Sequence, residues 1–167
     1  MRWIRSHRAD SEAAGIADRH YNRQTPGSPQ FVPPGRCLVL KTAGAVWVTS
    51  WPFAEYVRHQ WAGAFVNSLF RKECPGLASE FIREACAATR AKWPEIPALG
   101  MVTFVDPLKV ASRKVRSRPC IAWSYFEAGF AHVGYTKGGL WAMPLPPDKC
   151  PDACDALDDA PLFMFGG

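Results

Sequence analysis

No apolar run in this 167-residue chain approaches the roughly 18 residues that a membrane-spanning helix needs. The opening segment MRWIRSHR has no apolar stretch either, which argues against a secretory signal. No repeat of 20–50 residues is visible, which argues against a solenoid or propeller. There is no CxxC. The nearest cysteines, Cys150 and Cys154, have neither a histidine nor another cysteine close by to complete a zinc site. With Cys37, Cys74, Cys86 and Cys120 they read as reduced thiols, which points to a cytoplasmic compartment.

Negative charge is scarce until the end of the chain. Residues 148–167 hold five aspartates and one base, so the first 147 residues carry 19 bases against 10 acids. A basic body suits an anionic partner, such as nucleic acid or an anionic cofactor, although a merely soluble basic protein has the same signature. Hydrophobic content of 48% with 21% charge is that of a globular domain, and the length fits one. The reading is one domain over 1–147 and an acidic Pro/Asp-rich tail over 148–167, with 162–165 as a docking segment.

Asp10 and Ser11 can cap a short helix running to about Tyr21. Residues 22–35, with four prolines and two glycines, read as an ordered loop. Residues 37–42 and 46–51 form a hairpin around Ala43-Gly44-Ala45. A strand at 64–71 leads through Pro75-Gly76 into a helix at about 77–92. There Leu77, Phe81, Ala85 and Ala88 recur at helical spacing. Residues 99–105 are nearly all apolar, as in a buried central strand. Residues 107–119 read as a basic loop, 121–128 as a short helix, and 130–135 with 140–143 as a final strand pair. This order predicts an α/β domain with a mixed sheet flanked by helices.

Gly76, Leu77, Ala78 and Ser79 open a helix, where free amides and the helix dipole favour a phosphate; Arg71 and Lys72 add charge. A plain strand-to-helix turn would look the same. His20 and Tyr21 offer an imidazole that titrates near neutrality and a phenol, or simply an aromatic helix end. Asp106 ends an apolar strand, where open α/β sheets place site residues; it also suits an Asx turn with Pro107. Lys109, Arg113, Lys114, Arg116 and Arg118 could contact nucleic-acid phosphates or form a solvated loop. Trp47, Trp51, Trp61 and Trp123 could stack on an extruded base or fill the core.

Leu69-Phe70-Arg71, the turn Gly76-Leu77-Ala78 and the later FEAGFAHVG at 126–134 resemble the GNAT acyltransferase superfamily, over roughly residues 64–143. The resemblance implies a GNAT-like mixed central β-sheet. It also implies acetyl-CoA bound by Leu69, Phe70, Arg71, Gly76, Leu77, Ala78 and Ser79, with the splayed strand holding the pantetheine. Tyr125 lies near the tyrosine that protonates the departing thiolate in that superfamily. The chain departs from the pattern at Glu73, where the superfamily prefers Gln or Arg. A narrower likeness adds His20-Tyr21-Asn22…Pro26 and Val105-Asp106-Pro107, which resemble the Mom family of phage DNA-modification proteins; Asn22 replaces its usual Ser. That likeness implies modification of adenine N6 in double-stranded DNA by an acetyl-CoA-derived carbamoylmethyl group, with a proposed iron. His20, Tyr21, Asp106 and Tyr125 would form the catalytic group. An ordinary N-acetyltransferase of small-molecule or protein amines, and a non-catalytic nucleic-acid-binding GNAT-like domain, are the rival readings.

Overall fold

The computed structural model describes residues 1–159 apart from Gln24 and Ala111. Its elements are β1 (Ile4–Arg5), α1 (Ser11–Ala17), β2 (Cys37–Thr42), β3 (Ala45–Ser50), β4 (Phe65–Lys72), α2 (Ala78–Lys92), β5 (Met101–Val105), β6 (Arg113–Val115), β7 (Arg118–Cys120), α3 (Trp123–Glu127), β8 (Gly134–Tyr135) and β9 (Trp141–Leu145). Seven strands form one mixed sheet in the order β1-β2-β3-β4-β5-β9-β8; β6 and β7 pair separately as a hairpin. Only β4 and β5 run parallel, and α2 makes the crossover between them. The domain is therefore an α/β fold with a mixed sheet flanked by helices, as expected. Among the described residues no helix is long and apolar enough to cross a membrane.

Both faces of the sheet are covered. α2 places Phe81, Ile82 and Ala85 against Leu40, Trp47, Phe65, Met101 and Met143, with Phe130 completing that layer. On the opposite face α1 and Phe31 pack on Val39, Val46, Val48 and Leu69. β3 is thus buried along its whole length, which is why its sequence, AVWVTS, shows no clean alternation. A polar chain also ties helix to sheet. Trp47 Nε1 donates to Thr49 Oγ1 at 2.7 Å, Thr49 meets Thr89 Oγ1 at 2.8 Å, and Thr89 donates to the Ala85 carbonyl.

The boundaries expected from the sequence shift in several places: the strand expected at 130–135 is only Gly134–Tyr135, and three further differences are larger in consequence. Leu77 sits at the N-cap of α2 and is 58% exposed, so the apolar stripe starts at Phe81. α1 ends at Ala17, and residues 18–22 continue as turns. The basic stretch at 107–119 contains the β6–β7 hairpin, closed by Arg116 and Ser117 at φ 49° and 66°. Two left-handed residues between paired strands match a tight hairpin turn, but neither is the usual Asn or Gly.

The acidic segment up to Asp159 lies against the domain. Leu157 bridges Ile4 in parallel, its N–H donates to the Trp3 carbonyl, and its own carbonyl accepts from Arg5. Ala156 is 8% exposed and joins the core. Asp155 and Asp158 pair with Arg5. This segment covers the free edge of β1, which otherwise would present unpaired backbone groups. The docking segment expected at 162–165 lies outside the described residues.

Candidate active site

β4 and β5 pair only at Phe65–Met101, Val66–Val102 and Asn67–Thr103, although β4 runs on to Lys72. Two features part the strands. Ser68 is an extra residue on β4, because Thr49 faces Asn67 while Val48 faces Leu69. Such a bulge bends its strand and raises the local twist. Beyond it, side chains from three other segments enter the gap. The result is a cleft of about 140 Å³ between the diverging strands, lined by His20, Tyr21, Asn22, Asn67, Ser68, Thr103, Val110 and Tyr125 among others.

The sequence-predicted residues meet here. The Tyr21 hydroxyl accepts from the Asp106 backbone N–H at 3.3 Å, fastening the segment after α1 to the end of β5. His20 stacks on Tyr21 with ring centroids 4.5 Å apart. Its Nδ1 lies 2.7 Å from Asn22 Oδ1. Burial lowers the His20 pKa and outweighs the opposing hydrogen bonds from Asn22 and the Phe70 backbone. The ring is therefore neutral at physiological pH. Burial raises the Tyr21 pKa, and the Asp106 charge adds to that rise. The Asp106 Oδ1 accepts from Leu108 N–H at 2.9 Å, so Asp106 also forms the Asx turn that its sequence context allowed.

Tyr125 enters the cleft from the other side of the sheet, on α3. Its hydroxyl donates to Asn67 Oδ1 at 2.7 Å. Burial pushes its pKa well above the ordinary phenol value, so it stays a proton donor.

Asn67 is the residue that sequence reading missed. It is 5% exposed, accepts from both Tyr125 and Thr103, and donates to the Val48 and Leu69 carbonyls at 3.2 and 2.9 Å. It stands at the last paired position before the strands part, and it holds the bulge closed from within. A buried-type strand interrupted by the polar pair Asn67-Ser68, FVNSLF, was the available signal. Asn22 was noted only as a departure from Ser, yet its Nδ2 donates to the carbonyl of the bulged Ser68 at 3.0 Å.

The residues expected to bind the cofactor divide into groups. Leu69 is 4% exposed and packs beneath α1, leaving only its backbone for a ligand. Phe70 faces the opposite layer, against Trp3, Trp47 and Tyr125. Glu73 does not stand as an isolated repulsive charge beside the turn. Arg19 grips it through two contacts at 2.6 Å and Arg71 adds one at 3.1 Å. These arginines hold its pKa down at about 2. Gly76 has φ +112°, and a Cβ there would come within 3.0 Å of Phe81, so the turn needs glycine. No side chain caps α2, whose first turn follows at Ala78 and Ser79. Ser79 itself is buried.

Lys109, Arg113, Lys114, Arg116 and Arg118 are all exposed, four of them on the β6–β7 hairpin. The loop leading into it contributes Val110 to the cleft. Trp47 is fully buried, which removes it as a stacking surface. Trp51 is covered by Arg36 at 4.1 Å from its ring centroid.

Acetyl-CoA fits part of this frame: an uncapped helix start preceded by a left-handed glycine, and an open gap beside β4. The volume of the cleft suits an acyl group and its thioester. For an iron, no three His, Cys, Asp or Glu side chains converge among the described residues. The donors present are a phenol, an imidazole and one carboxylate already engaged by an amide, so no step is assigned to a metal. No family model matches the sequence, and neither the curated proteins nor the solved structures contain a match.

Proposed function

We propose that this chain is a GNAT-like transferase that uses acetyl-CoA to modify an exocyclic amine, with adenine N6 of double-stranded DNA as the acceptor. The observation that carries the reading is the gap between β4 and β5, into which His20, Tyr21 and Tyr125 converge from both sides of the sheet. A mixed sheet whose one parallel pair opens towards the carboxyl ends of its strands is what such an enzyme requires. The exposed bases on the hairpin beside the cleft fit a polyanionic acceptor.

A bound acetyl-CoA would supply an activated acyl group, which an amine held at this site would take up at nitrogen as the thiolate leaves. The neutral His20, stacked on Tyr21, is the group able to take the amine proton. Tyr125, kept protonated by burial, is the group able to return a proton to the leaving thiolate. Asn67 fixes the Tyr125 hydroxyl. Asp106 and Tyr21 orient the acceptor at the end of β5. Adenine N6 is a poor nucleophile because its lone pair is delocalised into the ring, so orientation matters more here than for an alkyl amine.

Mass spectrometry of nucleosides from cells expressing the protein tests this reading. A mass-shifted deoxyadenosine is the expected result. Unmodified DNA with acetylated small-molecule or protein amines would favour an ordinary N-acetyltransferase. One observation favours a non-catalytic nucleic-acid-binding domain. The carbonyl of Ser68, on the edge of β4 that β5 has left, is already engaged by Asn22. A pantetheine arm lying along that edge must displace it. Calorimetry with acetyl-CoA decides: no heat at high micromolar concentration removes the transferase reading.

A further inference from the structure

A second depression, of about 750 Å³, lies outside the cleft. Segment 58–61, Phe104 of β5 and residues 135–140 at the β8–β9 turn line it, and Phe104 also lines the cleft. Three rings form its floor. Phe104 has its centroid 5.0 Å from His59 and 6.0 Å from Trp61. The His59 ring is anchored, since its Nδ1 accepts from the Trp61 backbone N–H at 3.1 Å. Arg58 and Lys137 stand exposed at the margin, and neither has a carboxylate partner among the described residues. No acidic side chain lines the space, while Gln60 and Thr136 supply neutral donors and acceptors.

The three rings are tilted 50–71° to one another, so a planar apolar group can stack on one of them while the edges of the others flank it, and the cationic margin selects a ligand that also carries an anion. An acyl chain has no planar face to stack, and an acidic peptide has no use for three clustered rings. A nucleotide has both properties, and the volume lies within the ordinary range for small-ligand sites. Stacking of bases on aromatic side chains, with backbone phosphates on nearby bases, is the general physics of single-strand recognition.

We propose that this depression binds a nucleotide of a nucleic-acid strand, with the base stacked on the His59 ring and flanked by Phe104, and the phosphate at Arg58 and Lys137. Phe104 floors both spaces, so a strand seated here delivers its neighbouring base to the cleft. The inference rests on the reading above only for the choice of a nucleic-acid strand over a free nucleotide.

The test is anisotropy of a labelled 12-nucleotide single-stranded DNA, titrated at several salt concentrations without acetyl-CoA. Arg58→Ala and Lys137→Ala should each weaken binding and each flatten the salt dependence by about 0.7 in log–log slope. His59→Asn keeps an acceptor for the Trp61 amide but removes the ring. It should weaken binding by at least about fivefold with the slope unchanged. Circular dichroism melts check that all three variants fold; the two margin residues are exposed and carry the test if the His59 variant does not. The inference is overturned if the wild type fails to bind the strand, or if all folded variants bind within twofold of it. It is also overturned if coenzyme A displaces the strand and loses affinity in the same variants, because the pocket would then hold the cofactor's own nucleotide. Strand binding through this pocket without any nucleoside modification would instead remove adenine in DNA as the acceptor and leave this inference standing.

Discussion

Asn67→Ala removes the amide on which the open end of the β4–β5 pair depends. Four hydrogen bonds disappear together: those from Tyr125 and Thr103, and those to the Val48 and Leu69 carbonyls. A buried hydrogen bond contributes about 1 kcal/mol net, giving a loss of about 4 kcal/mol. Tyr125 also faces the Thr103 hydroxyl, and a direct bond between them recovers about one of these. The expected loss is therefore about 3 kcal/mol. For a domain of this size that lowers Tm by about 6–12 °C. Urea unfolding followed by tryptophan fluorescence, alongside thermal melts, measures it. Asn67→Asp sharpens the test. The carboxylate still accepts from both hydroxyls but faces two carbonyls that had been receiving protons. Its folded-state pKa must rise, so its stability relative to wild type is greatest in acid and declines as pH rises through that pKa. A loss below about 1 kcal/mol for Asn67→Ala, or a pH-independent Asn67→Asp, would show that this network does not hold the bulge.

Three other outcomes follow from the same physics. Asp10 caps α1 through Glu12 and Ala13 N–H and pairs with Lys41 at 2.8 Å. Burial opposes its ionisation, but Lys41 and Ser6 outweigh that and hold its pKa far below the usual value. Asp10→Ala should cost about 1–2 kcal/mol at neutral pH. Because the folded pKa is depressed, this contribution is complete above about pH 4 and fades in stronger acid, so wild-type and variant melting temperatures should converge there. Gly100→Ala combines φ +67° with a Cβ placed 2.1 Å from the Leu145 carbonyl oxygen. A loss on the order of 4 kcal/mol is expected, read as a collapse of the soluble, folded fraction. Asp106→Ala should reduce product formation by at least about 100-fold while calorimetry shows acetyl-CoA affinity within about twofold of wild type. Persistent activity would remove Asp106 from the site.

The regular elements were legible because their causes are local. Phe81, Ala85 and Ala88 recur at the helical period and do face the sheet; the apolar run at 101–105 is a central strand between β4 and β9. The β6–β7 hairpin was not legible, because Arg116 and Ser117 adopt left-handed conformations that their residue types do not advertise. β1 was missed for a different reason. Two residues become a strand only when β2 lies on one side and the segment around Leu157 on the other. The candidate site was half legible. His20, Tyr21, Asp106 and Tyr125 were named from chemistry and resemblance, and all four lie on or beside one cleft. Asn67 was passed over, since a polar residue inside an apolar strand says nothing until its partners are known.

The sequence alone determined the periodicities, the basic body and the α/β order of elements, all of which act over a few residues of chain. Only the tertiary structure decided that β4 and β5 part after Asn67, that Arg19 reaches Glu73, and that Phe104 shares one floor with the rings of the 59–61 segment. Each of these joins groups far apart in the chain, and no local pattern carries the free energy that brings them together.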